Sequence, residues 1–151
     1  MRYSLLSTVS WGLTLRFTLM PSVDVSPSIQ HIVAANLGNE ALLIGYSLSA
    51  QEIEAGEALM LTLYWQALAE MERRYTVFTY LLDANNRIVA QMDSEPLGGT
   101  HPTTEWQFGE IVRDNYGLLI APDTPPGEYL LEVEMYYLPT LERLLGKVMV
   151  Y

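Results

Sequence analysis

Between Gln91 and Glu110 the chain reads QMDSEPLGGTHPTTEWQFGE, a stretch that gathers most of the side chains capable of chemistry in one place. Asp93, Glu95, Glu105 and Glu110, with Asp114 just beyond, offer carboxylate oxygens of the kind that bind calcium when several converge. Two such groups roughly 5–10 Å apart across a cleft could also serve glycoside hydrolysis. With 18 acidic residues in the chain, some pair meets that spacing by chance, so it carries no weight. The third chemistry is recognition. The apolar face of a sugar ring buries against a flat aromatic ring while amides, carboxylates and imidazoles pair with its hydroxyls. Trp106, His101, Gln91, Asp93 and Gln107 form a weak candidate set for it. A loop tryptophan also has a structural use, as a plug over the open end of a core, and at the level of sequence both readings of Trp106 stand.

Other chemistries find no support. The chain has no cysteine, which removes disulfides, thiolate catalysis and cysteine-ligated metal. Its two histidines, His31 and His101, lie far apart and outside any HExxH-type spacing. No G-x-S-x-G elbow is present, and neither GNEALLIG nor PLGG has the strand-to-helix context or the Lys-Ser/Thr of a phosphate loop. We therefore expect no catalytic residues, no metal and no cofactor. A formal net charge of −10, with Arg73-Arg74 as the one adjacent basic pair, disfavours nucleic acid and anionic membrane surfaces. Glycans or other protein subunits, copies of this chain included, remain as partners.

The elements that must position these residues are strands. At 151 residues, half of them apolar and 17% charged, the chain suits one globular domain with a single core. Period-2 alternation recurs, and helical periodicity is scarce. Glu57 to Gln66 puts Leu59, Leu61, Leu63 and Trp65 on one face, and Glu128 to Tyr137 does the same with Tyr129, Leu131, Val133, Met135 and Tyr137. Ala41 to Leu48 reads as a strand with a bulge at Gly45. Arg74 to Asp83 and Arg87 to Met92 form a hairpin through Asn85-Asn86, since asparagine tolerates the left-handed conformation. Glu110 to Ile120 follows with a bulge expected at Gly117, Pro126-Gly127 is expected to centre a type II turn, and RLLGKVMVY reads as a closing strand. Ala67 to Arg74 has room for one helical turn. Tyr64, Tyr80 and Tyr136 should point outward from their strands. The pattern predicts an all-β, antiparallel β-sandwich of the immunoglobulin or jelly-roll kind, with about eight or nine strands. The segment 91–110 should cross between its sheets, pinned by Trp106.

The first 20 residues are apolar enough to raise a signal peptide or the remnant of a membrane span. Ser4, Ser7, Thr8 and Ser10 interrupt the run, Arg16 lies inside it and no A-x-A-like site closes it. Leu13, Leu15, Phe17 and Leu19 alternate instead with Thr14, Arg16 and Thr18, so Gly12 to Met20 is expected as a strand. We expect residues 1–26 to be this strand and a connector, 27–151 to be the sandwich, and no segment to span a membrane. The Gly12–Met20 strand is also a candidate for pairing between subunits.

The succession ANLGNEALLIGYSL, GEALMLTLYWQA, YTVFTYLLDANNRIVAQMDSEPLGGTHPTTEWQFGEIV and PPGEYLLEVEMY resembles a β-sandwich module. That module follows the multi-span region of some bacterial membrane glycosyltransferase-like proteins, notably in filamentous green bacteria. The resemblance covers about three quarters of the chain, Ala35 to Leu145. It implies an all-β accessory domain outside the cytoplasmic membrane, with no catalytic residues to carry over. The GLTLRFTLM strand departs from that pattern.

Overall fold

The computed structural model of the chain describes residues 2–9, 13–15 and 29–144. Among them, eleven strands form two sheets. In chain order they are β1 (Arg2–Val9), β2 (Leu13–Leu15), β3 (His31–Leu37), β4 (Ala41–Leu48), β5 (Glu52–Glu54), β6 (Ala58–Ala67), β7 (Thr76–Leu82), β8 (Ile88–Ser94), β9 (Ile111–Leu119), β10 (Glu128–Tyr137) and β11 (Glu142–Arg143). One sheet runs β2-β1-β10-β7-β8, with β5 on β1 and β11 on β10; the other runs β3-β4-β6-β9. The fold is the all-β sandwich that alternation predicts. One pair departs from the antiparallel rule: β1 runs parallel to β10, with Ser4 opposite Glu128 and Ser7 opposite Leu131.

The alternating residues meet between the sheets. Leu59, Leu61, Leu63 and Trp65 of β6 are fully buried, and face Tyr129, Leu131, Val133 and Met135 of β10 across the core. Strand β9 contributes Val112, Tyr116 and Leu118, and β7 contributes Val77 and Leu81. Thr79 shares that inner face and satisfies its hydroxyl by donating to Met92 O at 2.7 Å.

Strand β4 shows why a glycine must stand at position 45. Its inward residues are Ala41 and Leu43 before the bulge, and Tyr46 and Leu48 after it. The register against β6 slips between Leu43 and Gly45, so the phase of the alternation changes and the apolar side chains stay in the core. A Cβ on Gly45 would lie 2.2 Å from the His31 carbonyl oxygen and 2.7 Å from Ile29 Cγ2, so backbone of β3 occupies the space a side chain needs. The hairpin from β3 to β4 turns through Gly38 and Asn39, both with positive φ (60° and 58°), a type I′ turn whose twist matches its strands. Asn86, with φ 60°, plays the expected role in the β7–β8 hairpin, where Asp83 Oδ1 accepts from the backbone N–H groups of Asn85 and Arg87 at 2.8 and 2.9 Å.

Several expectations need correction. Gly117 is not a bulge: it pairs with Met60 in an unbroken register, because the alternation of β9 never changes phase. Gly127 has no positive φ, and the hydrogen-bonded turn instead spans Ala121 to Thr124, where Thr124 N–H donates to Ala121 O at 3.0 Å. Ala67 to Arg74 holds no helical turn; its backbone ends β6 and then bends into β7. Strand β3 is not among the strands the sequence pattern predicts. Of the Gly12–Met20 strand, Leu13–Leu15 is in place as β2, paired with Ser7–Val9 of the same chain, and the remainder lies outside the described residues. The boundary expected at residue 26 and most of the closing strand RLLGKVMVY lie outside them too.

The two strand glycines therefore predict opposite outcomes. Gly45→Ala should destabilise the fold by about 1–3 kcal/mol in chemical denaturation, since overpacking against backbone has no easy relief. Gly117→Ala meets nothing closer than Met60 Sδ at 3.5 Å. It should be neutral or stabilising by up to about 1 kcal/mol.

Candidate functional site

The crossover from β8 to β9 carries the chain from one sheet to the other, and it is built as a clamp. A tight turn at Pro96–Gly99, in which Leu97, Gly98 and Gly99 have positive φ, and a 3₁₀ turn at Thr103–Glu105 shape it. Trp106, 2% exposed, inserts beside the buried Trp65 with ring centroids 6.5 Å apart, and its indole N–H donates to His101 O at 3.0 Å. Of the two readings of Trp106, the geometry selects the plug. Its ring offers no free face to a sugar, and its polar edge is used to hold the loop. Thr103, also buried, accepts from Tyr75 N–H at 3.0 Å and donates to Arg73 O at 2.6 Å, joining the loop to the segment that leads into β7.

Asp114 fastens the other end. It is the one charged residue on the inner face of β9, a carboxylate 1% exposed among Val112, Tyr116 and Leu118. Its Oδ1 accepts from Leu97 N–H at 2.9 Å and its Oδ2 from the Tyr116 hydroxyl at 2.5 Å. Leu97 stands in the left-handed region, φ 53°, where an L residue pays a steric penalty of about 1–2 kcal/mol. The bond to Asp114 offsets it. Burial raises the Asp114 pKa, and the bonds from Tyr116 and Leu97 oppose that rise. The Trp65 indole N–H lies close enough to favour the charged form as well, yet has no acceptor in hydrogen-bond geometry. Tyr116 is pushed well above the ordinary phenol range, first by burial and then by the neighbouring Asp114 charge.

His101 bonds through Nε2 to Glu110 Oε1 at 2.8 Å, and Glu105 approaches its Nδ1 at 3.7 Å. Glu110 also accepts from Gln107 N–H at 2.8 Å, the first cause of a lowered carboxyl pKa, which the His101 bond reinforces. The loop thus brings His101, Trp106, Gln107 and Glu110 together as a self-satisfied knot. Gln91 and Asp93 are elsewhere, on the exposed outer face of the seven-stranded sheet, where Gln91 Nε2 donates to Asp93 Oδ2 at 2.6 Å. The five-residue candidate set does not form one site.

Around Gln91 and Asp93, however, that outer face carries aromatic rings. The register aligns Asp93, Phe78 and Glu134 in one row and Gln91, Tyr80 and Glu132 in the next. Tyr136 packs edge-on against Phe78 at 5.0 Å between centroids, and Tyr80 lies 6.0 Å from Phe78. These three rings are half-buried. Glu134 is held by the Tyr136 hydroxyl at 2.6 Å and Arg143 Nη1 at 3.0 Å. Burial, then the nearby carboxylates, raise the Tyr80 and Tyr136 pKa values, so both hydroxyls stay protonated donors. Of the tyrosines expected to face outward, Tyr80 and Tyr136 do so; Tyr64 is buried on the outer side of the other sheet. Among the described residues, no three His, Asp or Glu side chains converge as a metal site, and no helix is long and apolar enough to cross a membrane. No family model, curated protein or solved structure matches the chain.

The clamp makes two predictions. Thr103→Val should cost about 1–3 kcal/mol in denaturant unfolding, because it strands the buried Tyr75 N–H. For Asp114 the proton is bound more tightly in the fold than in the unfolded chain. Its contribution is complete below the ordinary value of 3.8 and is lost as pH rises through the raised one. The stability of the native protein relative to Asp114→Asn should therefore fall as pH increases from that point, measured by unfolding across a pH series.

Proposed function

We propose that this chain is a non-catalytic, extracytoplasmic recognition module. Its glycan-binding surface is the outer face of the seven-stranded sheet around Phe78, Tyr80 and Tyr136. The observation that carries this reading is the alternation of rings and polar groups in register: aromatic residues on β7 and β10, with Gln91 and Asp93 alongside on β8 and Glu132 on β10. Stacking needs a flat apolar ring held still, and Tyr136 and Glu134 fix one another by their hydrogen bond. Hydroxyl recognition needs donors and acceptors at the ring's edge, which the Gln91 amide, the Asp93 carboxylate and the tyrosine hydroxyls supply. A rigid sheet is a better platform than a loop for a pre-arranged surface. The resemblance to accessory modules of membrane glycosyltransferase-like proteins accords with a location outside the cytoplasmic membrane.

Binding to a printed panel of neutral, acidic and amino oligosaccharides tests the reading. The protein should retain a subset of them, and Tyr80→Ala should weaken that binding by about tenfold or more, as loss of a central aromatic contact does. Thr104→Ala, on the crossover loop, should leave it unchanged. Near-ultraviolet circular dichroism confirms that each variant keeps its packing. Absence of binding across the panel, or full binding by Tyr80→Ala, would contradict the proposal.

A further inference from the structure

Strand β9 ends the four-stranded sheet, with β6 on one side. Among the described residues no strand pairs with its other edge; the Pro96–Gly99 turn and the end of β8 approach it through the inward side chains of Asp114 and Tyr116. Antiparallel strands exchange bonds at alternate residues, and the flanking bonds set the phase here: Ala67 N–H donates to Glu110 O and Ile120 N–H to Glu57 O. Even-numbered residues of β9 therefore bond to β6, while Ile111, Arg113, Asn115, Gly117 and Leu119 direct their N–H and C=O groups away from it. None of the backbone hydrogen bonds outside the strand ladders reaches these five among the described residues.

Two of the other edges, β3 and β8, are interrupted. Strand β3 carries a bulge between Ile32 and Ala35, with Ala34 at φ 54°, and β8 slips register against β7 near Leu82. Bulges of this kind discourage pairing between molecules. Strand β9 has none: its register with β6 runs unbroken from Ile111 to Leu119, and the strand contains neither proline nor lysine.

We infer that β9 pairs with β9 of a second copy, antiparallel about a two-fold axis at Asn115. Three features of the strand select this partner and this register. Pairing about Asn115 sets all five open residues opposite open residues, so every free N–H and C=O of the edge finds an acceptor or donor. It places Ile111, 61% exposed, against Leu119 of the second copy, 70% exposed, at both ends of the ribbon. It also sets Arg113 against Gly117 of the copy, so no like charges face each other along the edge. A strand that is its own complement in this way satisfies the condition for a two-fold, isologous interface. The net charge of −10 on each copy opposes association, so added salt should strengthen the dimer.

Sedimentation equilibrium of the full chain, up to millimolar concentration, should show a monomer–dimer equilibrium that shifts toward dimer with salt. Ile111→Lys with Leu119→Lys sets like charges across both ends and should abolish the dimer. Ile111→Lys with Leu119→Glu sets opposite charges there and should restore it. Asn115→Cys adds a single thiol at the centre of the ribbon, where facing Cα atoms stand about 5.5 Å apart, within disulfide reach. Mild oxidation should therefore link two chains, whereas Thr104→Cys should not link them. These positions are exposed, and melting curves confirm that the variants fold. A monomer at every concentration would overturn the inference. So would a dimer that survives the double-lysine change and leaves Asn115→Cys unlinked, since the contact would then lie on another face.

Discussion

A chain that crosses from one sheet of a sandwich to the other must carry polar backbone past the open end of an apolar core. A buried N–H without an acceptor costs about 1–3 kcal/mol, so each one on that path needs a partner. Here the acceptors are Asp114 for Leu97 and Thr103 for Tyr75, and Trp106 fills the space between. The carboxylate is buried because the site needs an acceptor on the inner face of β9, where two donors from different parts of the chain converge. The same burial gives Asp114 its raised pKa and ties the stability of the crossover to pH.

This clamp decides which side chains are left free of the loop's own bonds. The residues that look most chemical in the sequence are spent on each other: the Trp106 indole on His101, His101 on Glu110, Glu110 on Gln107. With the loop holding the ends together, the sheets stay rigid and present two different outer surfaces. One bears rings and polar groups on β7, β8 and β10. The other ends in β9, whose register with β6 is unbroken.

How much of this was legible depended on whether periodicity alone carried the information. The strands around Leu59–Trp65 and Tyr129–Met135 were, because residues that alternate in polarity every second position have one way to bury their apolar half. The Gly45 bulge was legible from a glycine inside an apolar run. The expected bulge at Gly117 was not there, because a glycine in a strand can equally lie under a neighbour's side chain, as it does beneath Met60. Strand β3 is hard to read from polarity because its outward residues Ile32 and Ala34 are as apolar as the inward Val33, Ala35 and Leu37, although Gly38-Asn39 is a hairpin signal that points to it. For the site, proximity in sequence misled. Gln91 and Asp93 belong to the sheet before the crossover and Trp106 to the core after it, while the rings beside Gln91 and Asp93 come from β7 and β10, which only strand register brings together. Asp114 reads in sequence as one of the carboxylates around the loop, and its inward place follows only when the series Val112, Asp114, Tyr116, Leu118 is taken as one face of the strand.

Native-state amide hydrogen exchange, read residue by residue, tests the clamp most directly. Exchange rates report the free energy of the opening that exposes each N–H. If the crossover is fastened as described, the Leu97 and Tyr75 amides and the Trp106 indole N–H should exchange as slowly as amides of the central strand β6. Rapid exchange at these three groups beside slow exchange in β6 would show a loop that opens independently of the sandwich, and would contradict the account.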